Sequence, residues 1–190
     1  TISYHLLPFA TIENQINPLL GAQYYQTPVA TVRRPISSVG GLHKFPYPAV
    51  RCMDMQLHWH RRDLRGSDNR ALTAAADAAA EADSGVISLF VFDDGVLDHA
   101  GPARVDYLLA ALAELRAWYR DRGGDLLVRR GNPTEVVPEV ASNLGVDRVV
   151  WNRDYSGLAR ERDSAVRQAL NEVDIAREAF HDAICHEPGS

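Results

Sequence analysis

The sequence predicts an α/β fold: a doubly wound, five-stranded parallel sheet with helices on both faces, preceded by an irregular leader. Three observations carry that expectation. From Met55 onward, short apolar runs alternate with segments of helical periodicity. The links between them are short, which requires parallel strands joined by right-handed crossovers. And Val86–Phe92, VISLFVF, is an unbroken apolar, β-branched and aromatic run, as befits a strand covered on both faces.

The elements follow in order. Gln56–His60 reads as the first strand. Ser67 or Asp68 can cap a helix over Asn69–Ala82, whose alanine-rich inner face allows close approach to a sheet; Gly85 follows it. Val86–Phe92 is the second strand. Pro102 opens a helix over Ala103–Arg122, with an apolar stripe of Val105, Leu108, Leu109, Leu112, Leu115 and Tyr119 and a stop at Gly123. Asp125–Arg129 is the third strand. Pro133 suits the first position of a helix over Thr134–Leu144, which Pro138 can distort. Arg148–Trp151 is the fourth strand, Gly157–Asn171 a helix with Arg, Glu and Asp on its outer face, and Asp174–Ala179 a weak fifth strand.

Composition divides the chain at the same place. Residues 1–54 hold six of the ten prolines and the only lysine, Lys44, with Glu13 and Asp54 as their only acids. From Met55 every basic residue except histidine is arginine, 16 of them against 23 acids. Residues 1–54 are therefore expected to be a leader, non-native or dispensable, and 55–190 the folded unit. No run of about 18 apolar residues is present to cross a membrane, and there is no basic-then-apolar start of secretory type. Two cysteines, Cys52 and Cys185, make no disulfide framework, which points to a reducing, cytoplasmic setting. A net charge of −5 argues against a whole-surface grip on nucleic acid.

In a doubly wound sheet, ligands bind beyond the carboxyl ends of the strands. Those ends fall at His60–Asp68, Asp93–Arg104, Arg129–Pro133 and Asn152–Gly157. GxGxxG, a Walker loop and a nucleophile elbow are all missing. His58 and His60, two apart on one strand face, are candidate metal ligands, but no third ligand stands at a suitable spacing, and packing is the better reading; Cys185-His186 is equally unsupported. FDDG (92–95) begins like a Mg²⁺ site without the rest of one. Arg61, Arg62 and Arg65 read either as a phosphate patch or, preferably, as ion-pair partners of Asp68, Asp93 and Asp94, since a guanidinium fork satisfies two carboxylate oxygens. Asn152, Asp154 and Tyr155 in WNRDY (151–155) suit a flat polar heterocycle or ordinary turn chemistry.

Residues 57–69, LHWHRRDLRGSDN, resemble the opening strand and loop of the photolyase/cryptochrome family. LFVFDDGVL, PARVDYLLAALAELR, LLVRRGNP, VVWNRDY and ARERD match in the family's order, over about residues 55–190. The resemblance is strongest to class I cyclobutane-pyrimidine-dimer photolyases with a deazaflavin antenna. It implies that the chain is the antenna-binding domain of a light-dependent deoxyribodipyrimidine photolyase. The resemblance further implies that the FAD-binding helical domain, which in the family follows it and receives damaged DNA, is not part of these 190 residues. Trp59, Trp118 and Trp151 map onto no electron-transfer chain, so this fragment alone is expected to be inactive in repair and monomeric. In folate-using members an Asn-Glu pair grips the pterin; those positions here are Leu158 and Ala159. Deazaflavin users place an apolar strand end, an arginine and an aspartate around the ring, and Phe90, Phe92, Asp93, Arg104 and Asp154 match that pattern. Ala159 departs from it, standing where that class tends to carry glycine. The expected cofactor is an 8-hydroxy-deazaflavin-type antenna, with FAD or none as alternatives. The rival functions are a cryptochrome-like blue-light photoreceptor and an unrelated nucleotide-binding electron-transfer module.

Overall fold

A computed structural model describes residues 54–182. Residues 1–53 of the expected leader and Cys185-His186 lie outside these residues. The chain runs β1 (Gln56–His60), α1 (Arg70–Glu81), β2 (Val86–Phe92), α2 (Asp94–Leu97), α3 (Pro102–Arg120), β3 (Leu126–Arg130), α4 (Pro133–Asn143), β4 (Arg148–Asn152), α5 (Gly157–Glu172) and β5 (Ala176–Phe180). All five strands are parallel, in the order β3-β2-β1-β4-β5. The chain winds outward from β1 through β2 to β3, then returns to β4 on the other side of β1. That reversal places the switch point at the carboxyl end of β1.

Strand residues alternate between the faces. Leu57, Trp59, Leu89, Val91, Val149 and Trp151 form one core with α4 and α5 residues Val137, Ala141, Val166 and Leu170. On the other face Phe90, Phe92, Leu126 and Val128 pack with Leu112 and Leu115 of α3. Ala71 and Ala75 of α1 sit against Val150 there. The alanines have the role expected of them: small side chains bring α1 close to the central strands.

Several boundaries shift for local reasons. The cap of α1 is Asn69, one residue beyond the expected Asp68; its side chain accepts from Leu72 N. Asp68 instead takes a positive φ of 51° in the turn. The short α2 was not foreseen, since four residues carry no readable periodicity; Asp93 caps it by accepting from Gly95 N at 3.0 Å. Pro133 does start α4, and Asn132 caps it. Gly123, at φ 79°, follows α3 as a left-handed stop. Pro138 lies within α4 without ending it. At the amino end Asp54 is already part of the fold: its carbonyl accepts from Ser84 Oγ at 2.8 Å and from Gln56 Nε2 at 2.9 Å. No helix among the described residues is long and apolar enough to cross a membrane.

Candidate functional site

A cavity of about 380 Å³ opens over the carboxyl ends of β1 and β2, between the first turns of α3 and α5. The five residues expected at the site, Phe90, Phe92, Asp93, Arg104 and Asp154, all line it. They reach it from different elements: β2 and its end, the start of α3, and the loop after β4. Their convergence follows from β2 lying beside β1 on one side and β4 on the other.

The two phenylalanines are not open stacking faces. Phe90 and Phe92 are 5% and 1% exposed and meet edge to face at 5.0 Å. They form a back wall whose other side is the α3 core. The apolar surface at the mouth comes from Val96, Tyr107 and Leu158, at 41%, 77% and 63% exposure. Trp59 and Ala159, both 2% exposed, also line the cavity.

Charge at the site is arranged in pairs, and the partners differ from those expected. Arg61 meets Asp163 of α5, Nη1 to Oδ1, at 2.6 Å, with side-chain exposures of 4% and 8%. Arg62 reaches Asp154 at 3.4 Å. Arg65 pairs with Asp182 and donates from Nε to the Asp68 carbonyl. Asp93 takes Arg162 of α5 at 3.0 Å, and Asp94 takes Arg130 at 2.7 Å. The arginines are thus ion-pair partners, as preferred, but α5 and the segment after β5 supply the carboxylates for Arg61 and Arg65. Burial draws the Arg61 guanidinium below its ordinary pKa, and Asp163 opposes that shift. Arg61 and Arg162 also stand over the Trp59 ring, at 5.1 and 5.9 Å from its centroid.

Some polar groups proposed for the site are spent on architecture. Asn152 is 5% exposed and closes β4 onto α1: its Oδ1 accepts from Ala71 N, and its Nδ2 donates to Asn69 Oδ1. Tyr155 stacks on His181 and shares a 2.8 Å hydrogen bond with its Nδ1. His58 and His60 are buried edge to face at 4.2 Å. His60 Nδ1 lies 3.0 Å from the Asp63 carbonyl, which only accepts, so Nδ1 carries the hydrogen and Nε2 accepts from Tyr119 Oη at 2.8 Å. Burial lowers the pKa of both rings, His60 to about 4, and raises Tyr119 to about 12. Among the described residues no group of three His, Cys, Asp or Glu could hold a metal ion.

The sequence reading did not name Arg61, Arg162 or Leu158 as cavity residues. The Arg, Glu and Asp residues of α5 are expected on its outer face, yet the buried stripe of that helix is Ala159, Asp163, Val166 and Leu170. An aspartate in a stripe of that kind is a signal for a buried cation on the facing element.

Comparison with known proteins follows the same outline. The DNA photolyase family model matches residues 56–190. The chain is 55% identical over 140 residues to a deoxyribodipyrimidine photo-lyase of Halobacterium salinarum, covering 71% of this chain and 29% of that protein. It is 40% identical over 131 residues to a cryptochrome DASH of Natronomonas pharaonis, covering 65% and 27%. Among solved structures, an archaeal photolyase from Sulfolobus tokodaii, described with two FAD molecules, superposes with a TM-score of 0.63 at 28% identity, over 70% of this chain and 30% of that one. A class III photolyase from Agrobacterium tumefaciens gives a TM-score of 0.62 at 29% identity, over 80% and 29%. The chain spans less than a third of the length of each of these four proteins. With the family model matched over the whole described sheet and beyond it, this chain belongs to the DNA photolyase family and is its α/β domain.

Proposed function

We propose that the cavity over β1 and β2 holds a light-collecting chromophore with a flat, flavin-like ring of the 8-hydroxy-deazaflavin type. In the whole protein such a group supplies excitation to a reduced flavin in a helical domain, where damaged DNA is repaired. The observation that carries this reading is the cavity itself. Phe90, Phe92 and Trp59 form an apolar wall, and charged side chains stand along the rim. That combination suits a planar heterocycle with polar edges, and a volume of about 380 Å³ lies in the range of small-molecule sites, roughly 300–1,000 Å³.

The protein's own groups have distinct parts. The apolar wall excludes water from one face of the ring. The side chain of Arg104, exposed at the mouth, makes no hydrogen bond or ion pair among the described residues and is placed to meet a polar substituent. Asp154 Oδ1 accepts from Tyr155 N at 2.7 Å and Ser156 N at 3.3 Å, so it also shapes the rim. Energy transfer needs distance and orientation between chromophores, and a domain with that task requires no acid, base or nucleophile.

Fluorescence titration of the chain with 5-deazariboflavin tests the reading. Arg104→Ala and Asp154→Ala are expected to weaken binding about tenfold or more, the scale of one lost hydrogen bond to a charged group. Arg65→Ala, remote from the ring and tied to Asp182, is expected to lower the melting temperature and leave affinity unchanged. Equal binding by the parent and both cavity variants places the chromophore elsewhere. FAD is the second reading, because the Sulfolobus tokodaii photolyase is described with two FAD molecules and a novel light-harvesting cofactor. Tighter binding of FAD than of 5-deazariboflavin in the same titration selects it.

A further inference from the structure

We propose that the groove between the edge strand β5 and α5 is a phosphate-binding site, built from Arg153, Arg167 and Arg177 and separate from the chromophore cavity. The groove encloses about 500 Å³ and shares no lining residue with that cavity. Trp151, fully buried, lies beneath it. The three guanidinium groups meet there because of strand register. Arg177 stands beside Val149, and Ala179 beside Trp151. Val149 and Trp151 belong to the core under α4 and α5, so Arg177 projects onto that same face. Arg167 follows the buried Val166 of α5 and holds its guanidinium carbon 5.7 Å from the centroid of the Trp151 ring. Arg153 is fixed by the strand edge: its backbone N donates to the Phe180 carbonyl at 2.8 Å, and its Nε to the Ala179 carbonyl at 3.2 Å.

Counter-charge is what this groove lacks. Arg61, Arg62, Arg65, Arg130 and Arg162 all reach a carboxylate. Arg153, Arg167 and Arg177, all half-buried, reach none among the described residues. Arg177 Nη1 donates to the neutral amide oxygen of Asn171. The one acid at the groove, Glu178, alternates to the opposite face of β5, beside Val150, and its carboxylate is taken by Arg148 at 3.1 Å. In a chain of net charge −5, three cations are thus gathered at one concave surface with nothing to neutralise them. Their mutual repulsion is relieved by a bound anion, and the low-dielectric walls strengthen its attraction. A single carboxylate offers two oxygens and one charge, enough for one guanidinium fork. A phosphate group offers more oxygens and, as a monoester or diphosphate, more charge, and so can meet several forks together. Trp151 is covered by Arg167 and presents no open face for stacking a base, so the groove recognises the phosphate rather than the group that carries it. Inorganic diphosphate and a single-stranded nucleic-acid backbone both supply that chemistry.

The test is titration calorimetry of the 190-residue chain with sodium diphosphate, with a short oligothymidylate and with a triglutamate peptide, at several salt concentrations. The parent is expected to bind a phosphate probe saturably, more weakly as salt rises. Arg167→Gln and Arg177→Gln should each weaken that binding about tenfold, the scale of one charge-assisted hydrogen bond. Arg160→Gln makes the same charge change on the exposed surface of α5 outside the groove and should leave affinity unchanged. Arg167 gives up only a ring contact, so its variant is expected to keep the parent's melting curve, and it carries the test if Arg177→Gln melts early. An oligothymidylate that binds more tightly than diphosphate, and whose slope of log affinity against log salt falls by about 0.7 in Arg167→Gln, assigns a nucleic-acid backbone. Tighter binding of diphosphate assigns a free phosphate compound. Triglutamate binding as tightly as the better phosphate probe overturns phosphate as the ligand class. A parent that binds neither phosphate probe, or an Arg160→Gln variant weakened as much as Arg167→Gln, overturns the site. None of these outcomes bears on the chromophore cavity.

Discussion

Acidification from about pH 7.5 to about pH 5 is expected to destabilise the domain through one buried imidazole. His60 is 1% exposed, donates from Nδ1 to the Asp63 carbonyl and accepts at Nε2 from Tyr119. Burial holds its folded pKa at about 4, against 6.5 in an unfolded chain. The unfolded state therefore binds a proton first as pH falls. Stability is complete above the unfolded value, declines below about 6.5, and reaches its full loss near the folded value of about 4. A gap of about 2.5 pH units corresponds to on the order of 3 kcal/mol, of which about 2 kcal/mol is lost by pH 5. His58, whose pKa is lowered in the same sense by burial and by His60, adds to the decline. Against a total of about 5–15 kcal/mol for a domain of this kind, the effect is large.

Urea unfolding followed by tryptophan fluorescence at several pH values reads it directly. The window above pH 5 separates the imidazoles from carboxylates, which titrate lower. His60→Gln supplies the control: it starts from lower stability, but its slope between pH 7.5 and 5 should be shallower than the parent's by most of about 2 kcal/mol. A parent whose stability is level across that window, or a variant with the parent's slope, refutes the assignment of His60 as a buried neutral imidazole.

Three further expectations follow from single contacts. A methyl group at Gly66 would stand 2.4 Å from two atoms of the Trp118 ring, so Gly66→Ala is expected to lower stability by about 1–3 kcal/mol in the same urea assay. Asn152→Ala strands Ala71 N, while Asn69 Oδ1 keeps its bond from Leu72 N, and should cost about 1–3 kcal/mol, with riboflavin affinity little changed because Asn152 does not line the cavity. A chain beginning at Asp54, which keeps the carbonyl used by Ser84 and Gln56, should unfold cooperatively with the melting temperature of the full chain; loss of the transition assigns residues 1–53 a part in the fold.

The sheet was legible because its signals are redundant. Four short strand-like runs and a weaker fifth, punctuated by Gly, Pro and capping residues, leave few alternatives to a parallel α/β order, and β1, QLHWH, is buried along its whole length, its two histidines included. The ring nitrogens of His60 turn to Tyr119 and a backbone carbonyl, contacts about 60 residues apart or set by a turn, which no local pattern announces. The site was legible in outline, since strand ends in this order must converge. Asn152 shows the limit. The same polar side chain fits a ligand rim or a strand-to-helix tie, and only the position of Asn69 beside it decides for the tie.

The arginines after β1 illustrate a different limit. Their neighbourhood suggested ion pairs, but it also suggested partners close in sequence or at the next strand end. Geometry chose otherwise. The side chain of Arg61 follows Trp59 onto the face covered by α5, and there the buried stripe of the helix presents Asp163 four residues after Ala159 and three before Val166. A carboxylate in such a stripe is unfavourable unless a cation faces it, so Asp163 itself required a partner on β1 or its end. The requirement runs in one direction only. Asp163 occupies one end of a guanidinium and leaves its side-on edge unpaired. The ion pair accounts for why a cation is buried at this strand end. Arginine rather than lysine suits that position, because its planar guanidinium also stands over the Trp59 ring, 5.1 Å from the centroid.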